Sequence, residues 1–190
     1  MTLGAIETAY CGYRFRSRLE ARWAVFLDAV DLGYRYESEG FDLDGVRYLP
    51  DFWLPKLAIW LEIKPTFPAP EEIEKARALA RLTTLPCVIV HGDLRAPTGD
   101  PWELAVEPPD AAPAATGIMC YPDGTYSGLY WWCECPRCGT VNIAYEGRAL
   151  ASCPQCFDAE RSDECGNTQA TQRIVTAFAA ARRARFEFAR

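Results

Sequence analysis

The chain carries two short stretches, Arg47-Tyr48-Leu49-Pro50-Asp51-Phe52-Trp53-Leu54 and, after seven residues, Glu62-Ile63-Lys64. Their apolar and β-favouring residues predict one strand over residues 46–54 and another over residues 57–64, with a break at Pro55-Lys56. A short hairpin connects the two strands. They are therefore expected to be neighbours in one sheet.

Asp51, Glu62 and Lys64 are expected to meet on this hairpin. Side chains alternate along a strand, so Glu62 and Lys64 share one face and Ile63 points to the opposite, apolar face. Asp51 can lie beside Glu62, where two carboxylates repel each other unless a cation sits between them. Oxygen ligands favour Mg²⁺ or Mn²⁺, and a neighbouring ammonium could hold the attacking water or stabilise charge on a phosphate. The same residues, taken alone, also fit an ordinary surface hairpin.

The segments around the hairpin predict an α/β fold. Apolar residues at spacings of three and four predict helices over residues 17–32 and 71–82. A strand is expected over residues 34–41, and a continuous apolar run predicts a buried strand over residues 87–91. The predicted order is helix, three strands, helix, strand.

This order resembles the core of the PD-(D/E)XK nuclease superfamily, the fold of many restriction enzymes, resolvases and phage nucleases. The match covers roughly residues 13 to 91 and includes a helical Glu20, Pro50-Asp51 and Glu62-Ile63-Lys64. The resemblance implies a restriction-endonuclease-like αβββαβ core. It implies that Asp51, Glu62 and the Ile63 carbonyl bind a catalytic Mg²⁺ or Mn²⁺. Glu20 would complete the metal shell directly or through water, and Lys64 would orient or activate the water.

A second resemblance concerns two segments of the first half of the chain and its C-terminal end. Residues 13–20 and 47–54 are similar to small nuclease-like proteins of actinobacteria and their phages, which end in a helix closing with Arg-Phe-Glu, as Arg185-Phe186-Glu187 does here. The resemblance implies that the last helix belongs to the nuclease domain. We therefore expect a nuclease core over residues 1–112, a zinc-ribbon insertion over residues 113–170 and a C-terminal basic helix over residues 171–190 that packs on the core.

Cysteine spacing predicts a structural zinc site. Two C-x-x-C pairs are separated by 14 residues, which lets two tight turns present four thiolates to one tetrahedral cation. The four residues are Cys135, Cys138, Cys153 and Cys156. Cys133 or Cys165 could replace a member of the set. The alternative that these thiols are merely buried or redox-active stays open.

Basic residues cluster at two places in a chain whose formal net charge is −6. We expect both clusters to contact nucleic-acid phosphates, although a solvated helix face would explain either of them. The clusters are Arg14, Arg16, Arg18 and Arg22 near the front, and Arg173, Arg182, Arg183, Arg185 and Arg190 at the back. The candidate phosphate contacts within them are Arg14, Arg16, Arg18, Arg182 and Arg183. Bound divalent cations would offset a carboxylate-rich site locally.

Composition narrows the class of protein. The 190 residues are 49% apolar and 24% charged, which excludes a disordered tail or a fibre. No apolar run approaches the roughly 18 residues that span a bilayer, and the first residues lack a signal run. We therefore expect no membrane partner and a cytoplasmic location in a bacterial or phage-infected bacterial cell.

One histidine and two tryptophans are further candidates for a role in catalysis or base stacking. The single histidine, His91, excludes a histidine dyad and is predicted to be a packed or capping residue. Trp131 and Trp132 are predicted to pad the ribbon against the nuclease core, with stacking on bases as the alternative.

The sequence therefore predicts a Mg²⁺- or Mn²⁺-dependent deoxyribonuclease whose partner is DNA, with a homodimer left open. The alternative is a catalytically silent DNA- or protein-binding module of phage or bacterial origin that is stabilised by structural zinc. A third candidate is a zinc-stabilised structural or inhibitory protein made during infection.

Overall fold

The computed structural model describes residues 6–97, 114–157 and 168–186, which form a mixed α/β structure. The helices are α1 (Arg18–Ala29), α2 (Pro70–Thr83), α3 (Ala149–Ser152) and α4 (Gln172–Arg183), with a 3-10 turn at Thr168–Ala170. The strands are β1 (Thr8–Tyr10), β2 (Tyr13–Phe15), β3 (Arg35–Tyr36), β4 (Phe41–Leu43), β5 (Val46–Tyr48), β6 (Phe52–Leu54), β7 (Ile59–Lys64), β8 (Cys87–His91), β9 (Thr116–Cys120), β10 (Tyr126–Glu134) and β11 (Val141–Tyr145). Within the described ranges, no helix combines the length and the apolar content that crossing a membrane requires.

Seven of these strands form one sheet in the order β11-β10-β9-β8-β7-β6-β3. The central strands β7 and β8 are parallel, and α2 connects them; the other neighbouring strands are antiparallel. All five residues of β8 are buried, which explains its continuous apolar sequence. The pairs β1-β2 and β4-β5 form separate two-stranded sheets.

Helices cover both faces of the seven-stranded sheet. On one face, α1 and α4 pack through aromatic rings, with the ring centres of Phe26 and Phe178 separated by 4.4 Å and those of Phe26 and Trp132 by 5.4 Å. On the other face, α2 packs over Trp60 and Ile89. Successive residues of β7 face opposite helices, with Leu61 in the core under α1 and Trp60 in the core under α2.

The strands predicted over residues 34–41 and 46–54 are each divided in the structure. Glu37 has a φ of 43°, in the left-handed region, and turns the chain away from β3. Pro50 has no backbone N–H to donate, and β5 is separated from β6 at this point. Asp51, predicted near the middle of a strand, therefore lies at a bend directly before β6.

The second half of the chain also differs from the sequence expectation. Five prolines predict an irregular connector over residues 96–117, but β9 begins at Thr116; residues 98–113 lie outside the described part. Strands β9, β10 and β11 were expected within a zinc-ribbon insertion, yet they continue the main sheet from β8. The predicted boundary between residues 112 and 113 lies outside the described residues, and the division into domains stays a prediction.

Candidate active site and metal centre

Asp51, directly before β6, and Glu62, on β7, are neighbouring carboxylates. The register pairs Phe52 with Leu61, so the next pair along the strands is Asp51 and Glu62. Leu61 belongs to the core under α1 and Trp60 to the core under α2, and the alternation therefore turns Glu62 toward α2. The exposed fraction is 3% for Asp51 and 6% for Glu62. The structure thus places two carboxylates side by side and out of water.

Both oxygens of Asp51 have a donor. Oδ2 accepts a hydrogen bond of 2.7 Å from the backbone N–H of Ile63, and Oδ1 lies 2.6 Å from Nη2 of Arg16. Burial, followed by the charge of Glu62, raises the pKa of Asp51 well above its usual range, although the Ile63 N–H and Arg16 favour the carboxylate. The positive charge of Arg16 beside Asp51 therefore stabilises the charged form of this carboxyl group against the effect of burial.

The Ile63 carbonyl faces the same side of β7 as Asp51. The N–H of Trp60 donates to the carbonyl of Pro86, on the side of β8, over 2.9 Å. Backbone groups of successive residues point to opposite sides of a strand, and Ile63 is three residues after Trp60, so the N–H and the C=O of Ile63 both point toward β6. This orientation agrees with the hydrogen bond from the Ile63 N–H to Asp51.

Lys64 lies between two carboxylates. Its Nζ is 3.1 Å from Oε1 of Glu62 and 2.8 Å from Oε1 of Glu72, in the first turn of α2. Burial alone would lower the pKa of Lys64, but Glu72 and Glu62 outweigh it and raise the pKa. Tyr48 donates a 2.9 Å hydrogen bond to Oε2 of Glu62. The ammonium is therefore charged and fixed beside Glu62.

Glu20 reaches the site from α1. Its Oε1 accepts from the Ser17 hydroxyl over 2.8 Å, and its Oε2 accepts from the backbone N–H of Arg16 over 3.1 Å and from the hydroxyl of Tyr36. The charge of Glu20 also contributes to the raised pKa of Asp51. Glu20 is thus held near Asp51, with Arg16 in contact with both residues.

The three acids do not form a tight ligand cluster in the described residues. Among those residues, four cysteines are the group of three or more potential ligands whose ligand atoms lie within 4.8 Å of one another. The donor set around Asp51 and Glu62 nevertheless fits a hard divalent cation, because it offers carboxylate and carbonyl oxygens and a like-charge pair that a cation would relieve. Arg16 occupies one oxygen of that pair.

The other predicted arginines are exposed. Arg14 pairs with Glu7 at the surface, and Arg18 begins α1. Arg182 and Arg183 lie in the last turn of α4, which covers the face of the sheet opposite to Glu62. The structure therefore brings Arg16 to the acidic residues, and it places the pair in α4 on the other side of the sheet.

His91 and the two tryptophans are buried. His91 lies opposite Lys64 in the parallel register of β7 and β8, and its ring centre is 5.1 Å from that of Phe67. Among the described residues, its Nδ1 has no hydrogen-bond partner. Trp131 and Trp132 are each 1% exposed, so neither ring can stack on bases in this conformation. Trp132 packs in the main core, whereas Trp131 packs in a small separate cluster with Cys133 and Ala144.

The four predicted zinc ligands form one cluster, which fits structural zinc binding. One knuckle follows β10, and the other follows α3. The Sγ atoms of Cys138 and Cys153 are 3.6 Å apart, close to the separation of about 3.8 Å that tetrahedral Zn–S bonds require. Hydrogen bonding to Thr140 lowers the pKa of Cys138 to about 6, which favours the thiolate that zinc binds.

The proposed substitute ligands do not join this cluster. Cys133 is buried on β10, where its Sγ contacts the carbonyl of Trp131, and it lies outside the group of four. Cys165 lies outside the described residues. The ligand set in the structure is therefore Cys135, Cys138, Cys153 and Cys156.

The sequence does not single out Tyr36, Tyr48 and Glu72, which hold the site together; Glu37 is near the proposed site in sequence, but a surface strand position explains it equally well. Glu72 follows Lys64 by eight residues, and its place in the first turn of a predicted helix explains it as an acidic residue that favours the helix start. Its side chain does accept from the backbone N–H of Ala69, but it also binds Lys64. The two tyrosines carried no signal that separates them from ordinary strand residues.

Comparisons with known protein families, with curated proteins and with solved structures found no match. Function is therefore inferred from the residues of this chain and their geometry.

Proposed function

We propose that this chain is a metal-dependent deoxyribonuclease of the PD-(D/E)XK type that hydrolyses phosphodiester bonds. The observation that carries the proposal is the pair of buried carboxylates Asp51 and Glu62 on adjacent strands, with Lys64 held beside Glu62. Burial of two like charges is costly, and such an arrangement is typical of functional sites. The αβββαβ order expected from sequence supports the same assignment.

Asp51, Glu62 and the Ile63 carbonyl would hold Mg²⁺ or Mn²⁺, with Glu20 next to them. The bound ion would supply Lewis-acid polarisation of the scissile phosphate and a water of lowered pKa. The Ile63 N–H fixes the orientation of Asp51, and Tyr48 fixes that of Glu62.

Lys64 has the charge and position to act on the reacting groups. Its ammonium is a compact charge that can hold the attacking water and stabilise the negative charge that develops on the phosphate. Glu72 and Glu62 keep it protonated and limit its movement. Arg14 lies on β2, Arg16 precedes α1 and Arg18 begins it, and these three arginines would contact the DNA backbone.

Cleavage assays on linear, nicked, branched and single-stranded DNA test the proposal. We expect Asp51→Asn, Glu62→Gln and Lys64→Met each to reduce Mg²⁺- or Mn²⁺-dependent cleavage by at least about 100-fold, because each removes a group that acts on the charged transition state. Lys56→Met is the matched control, since Lys56 is a surface lysine paired with Asp31. Wild-type cleavage by the Lys64→Met protein would refute the assignment.

A second candidate is a DNA- or protein-binding module without catalysis. One observation favours it: both Asp51 and Glu62 already have cationic partners, in Arg16 and Lys64. Zinc-loaded protein that binds duplex DNA but cuts none of the four DNA forms with either metal would support this candidate.

A further inference from the structure

Arg16 places its guanidinium directly on the proposed metal ligand. Nη2 is 2.6 Å from Oδ1 of Asp51, and Nε is 2.5 Å from Oε1 of Glu37. The Arg16 side chain is 54% exposed, whereas that of Asp51 is 4% exposed. A half-exposed cation therefore reaches down to a buried carboxylate from the surface.

We propose that Arg16 is a built-in substitute for the divalent cation: it neutralises Asp51 in the metal-free protein and must leave Asp51 when the metal binds. The inference rests on the proposed function. It gives Arg16 a role as a positioning residue that competes with the metal for one carboxylate oxygen.

Charge and geometry put the two cations in competition at Oδ1. The Ile63 N–H binds Oδ2 from the strand, and the half-exposed Arg16 binds Oδ1, so a metal that enters from solvent meets the oxygen that Arg16 holds. A guanidinium and a divalent ion at the same oxygen would repel each other strongly in this poorly hydrated place. Lys64 cannot take over this role without leaving Glu62 and Glu72.

The surroundings of Arg16 allow the side chain to move while the backbone stays. The backbone N–H of Arg16 is held by Glu20 and by the Tyr36 hydroxyl, at 3.1 and 3.0 Å. Glu37 contacts Nε and can retain the guanidinium near the site after Nη2 leaves Asp51. The released group would lie at the mouth of the site, where a DNA phosphate can bind it.

Calorimetric titration with Mn²⁺ alone, on zinc-loaded protein at constant pH and ionic strength, tests the competition. We expect Arg16→Gln to bind Mn²⁺ with a dissociation constant at least about fivefold lower than the wild type, because the competitor is gone. Arg14→Gln is the matched control: it removes one charge from the same segment, but Arg14 pairs with the exposed Glu7, and its affinity should stay within about twofold.

The outcomes separate this inference from the proposed function. If Asp51→Asn binds Mn²⁺ as the wild type does, the metal site and the proposed function fail. If binding requires Asp51 but Arg16→Gln binds no more tightly than the wild type, Arg16 is a structural ion pair and the inference fails. A purely structural role would leave the affinity unchanged or weaken it.

Arginine side-chain ¹⁵N NMR of the wild type gives an answer that does not depend on whether Arg16→Gln folds. The Arg16 guanidinium signals should change on saturation with Mg²⁺, whereas those of Arg14 should not. Unchanged Arg16 signals at saturating Mg²⁺ would overturn the inference.

Discussion

The imidazole of His91 packs against Phe67 at the end of β8, beside the strand that carries Lys64. Burial lowers the pKa of His91 below 6.5, because the charged form loses its hydration. The folded protein therefore favours the neutral ring, whereas the unfolded chain takes up a proton at the ordinary pKa. As the single histidine of the chain, His91 makes this effect separable from other titrations.

The stability of the wild type should fall more steeply between pH 7.5 and 5.5 than that of His91→Gln. A depressed pKa contributes stability that is present above the unfolded pKa of 6.5 and is lost as the pH falls below it. Between pH 7.5 and 5.5, the unfolding free energy of the wild type should fall by up to about 1.4 kcal/mol more than that of His91→Gln. Urea unfolding at the two pH values measures this change, and an equal pH dependence of stability in the two proteins would contradict it.

At the level of single residues, the sequence predicted contacts that strand geometry determines. Glu62 and Lys64 share a face because they are two residues apart on one strand, and Asp51 lies beside Glu62 because the connecting hairpin is short. The contact of Asp51 with Arg16 could not be predicted in the same way. It depends on where the segment between β2 and α1 meets the sheet, 35 residues away in sequence.

Among the elements, the two cysteine knuckles close the end of the β10-β11 pair. The last pair of that ladder joins Glu134 and Val141, and Cys135 and Cys138 lie in the turn between them. Cys135 also packs with Leu150 and Cys153 in a small separate core. Metal ligation therefore joins a strand turn to the segment that follows α3.

Cys156→Ser should lower the zinc content and the stability of the protein. Loss of one thiolate weakens tetrahedral coordination, and we expect at least about 2 kcal/mol of lost stability for the zinc-loaded protein. Zinc analysis after dialysis against a mild chelator, together with thermal unfolding, measures both effects. Cys11→Ser is the control, because Cys11 is exposed and lies outside the cluster of four. Equal zinc retention in the two variants would show that Cys156 is dispensable.

Elements with a strong local pattern were predicted well, and elements that depend on their partners were not. Helix α2 and strand β8 lie within one residue of the predicted bounds, because helical spacing and a continuous apolar run are local properties. Strand β9 was assigned to a connector because prolines dominate the residues before it. In its pairing with β8, Ile118 lies opposite Ile89. This pairing depends on a distant strand, so the sequence of β9 alone does not reveal it.

For the whole molecule, the net charge of −6 opposes approach to DNA. The proposed site adds to this effect, since Glu20, Asp51 and Glu62 lie near one another. Divalent ions held by these carboxylates would reverse the local sign and attract the phosphate backbone. DNA binding should therefore depend on metal even when no cleavage takes place.

Ca²⁺, a hard cation that carboxylate oxygens also bind, should strengthen binding of a short duplex to zinc-loaded protein by about tenfold relative to buffer without added divalent ions at 100 mM salt, because it neutralises the carboxylate pair. Fluorescence anisotropy at matched ionic strength measures this. The Asp51→Asn/Glu62→Gln double variant should bind equally with and without Ca²⁺. A Ca²⁺ effect of the same size in the double variant would mean that the ion acts elsewhere.

The central position of β8 has a consequence for how the polypeptide matures during synthesis. Until β9 has left the ribosome, β8 has one edge without a partner, and four of its five buried residues are apolar. Such an edge invites pairing with another nascent chain. A shortened polypeptide that stops after residue 97 would keep this edge permanently, and we expect it to self-associate. During synthesis, the cysteine-bearing half would thus cover this edge and limit self-association of the first half.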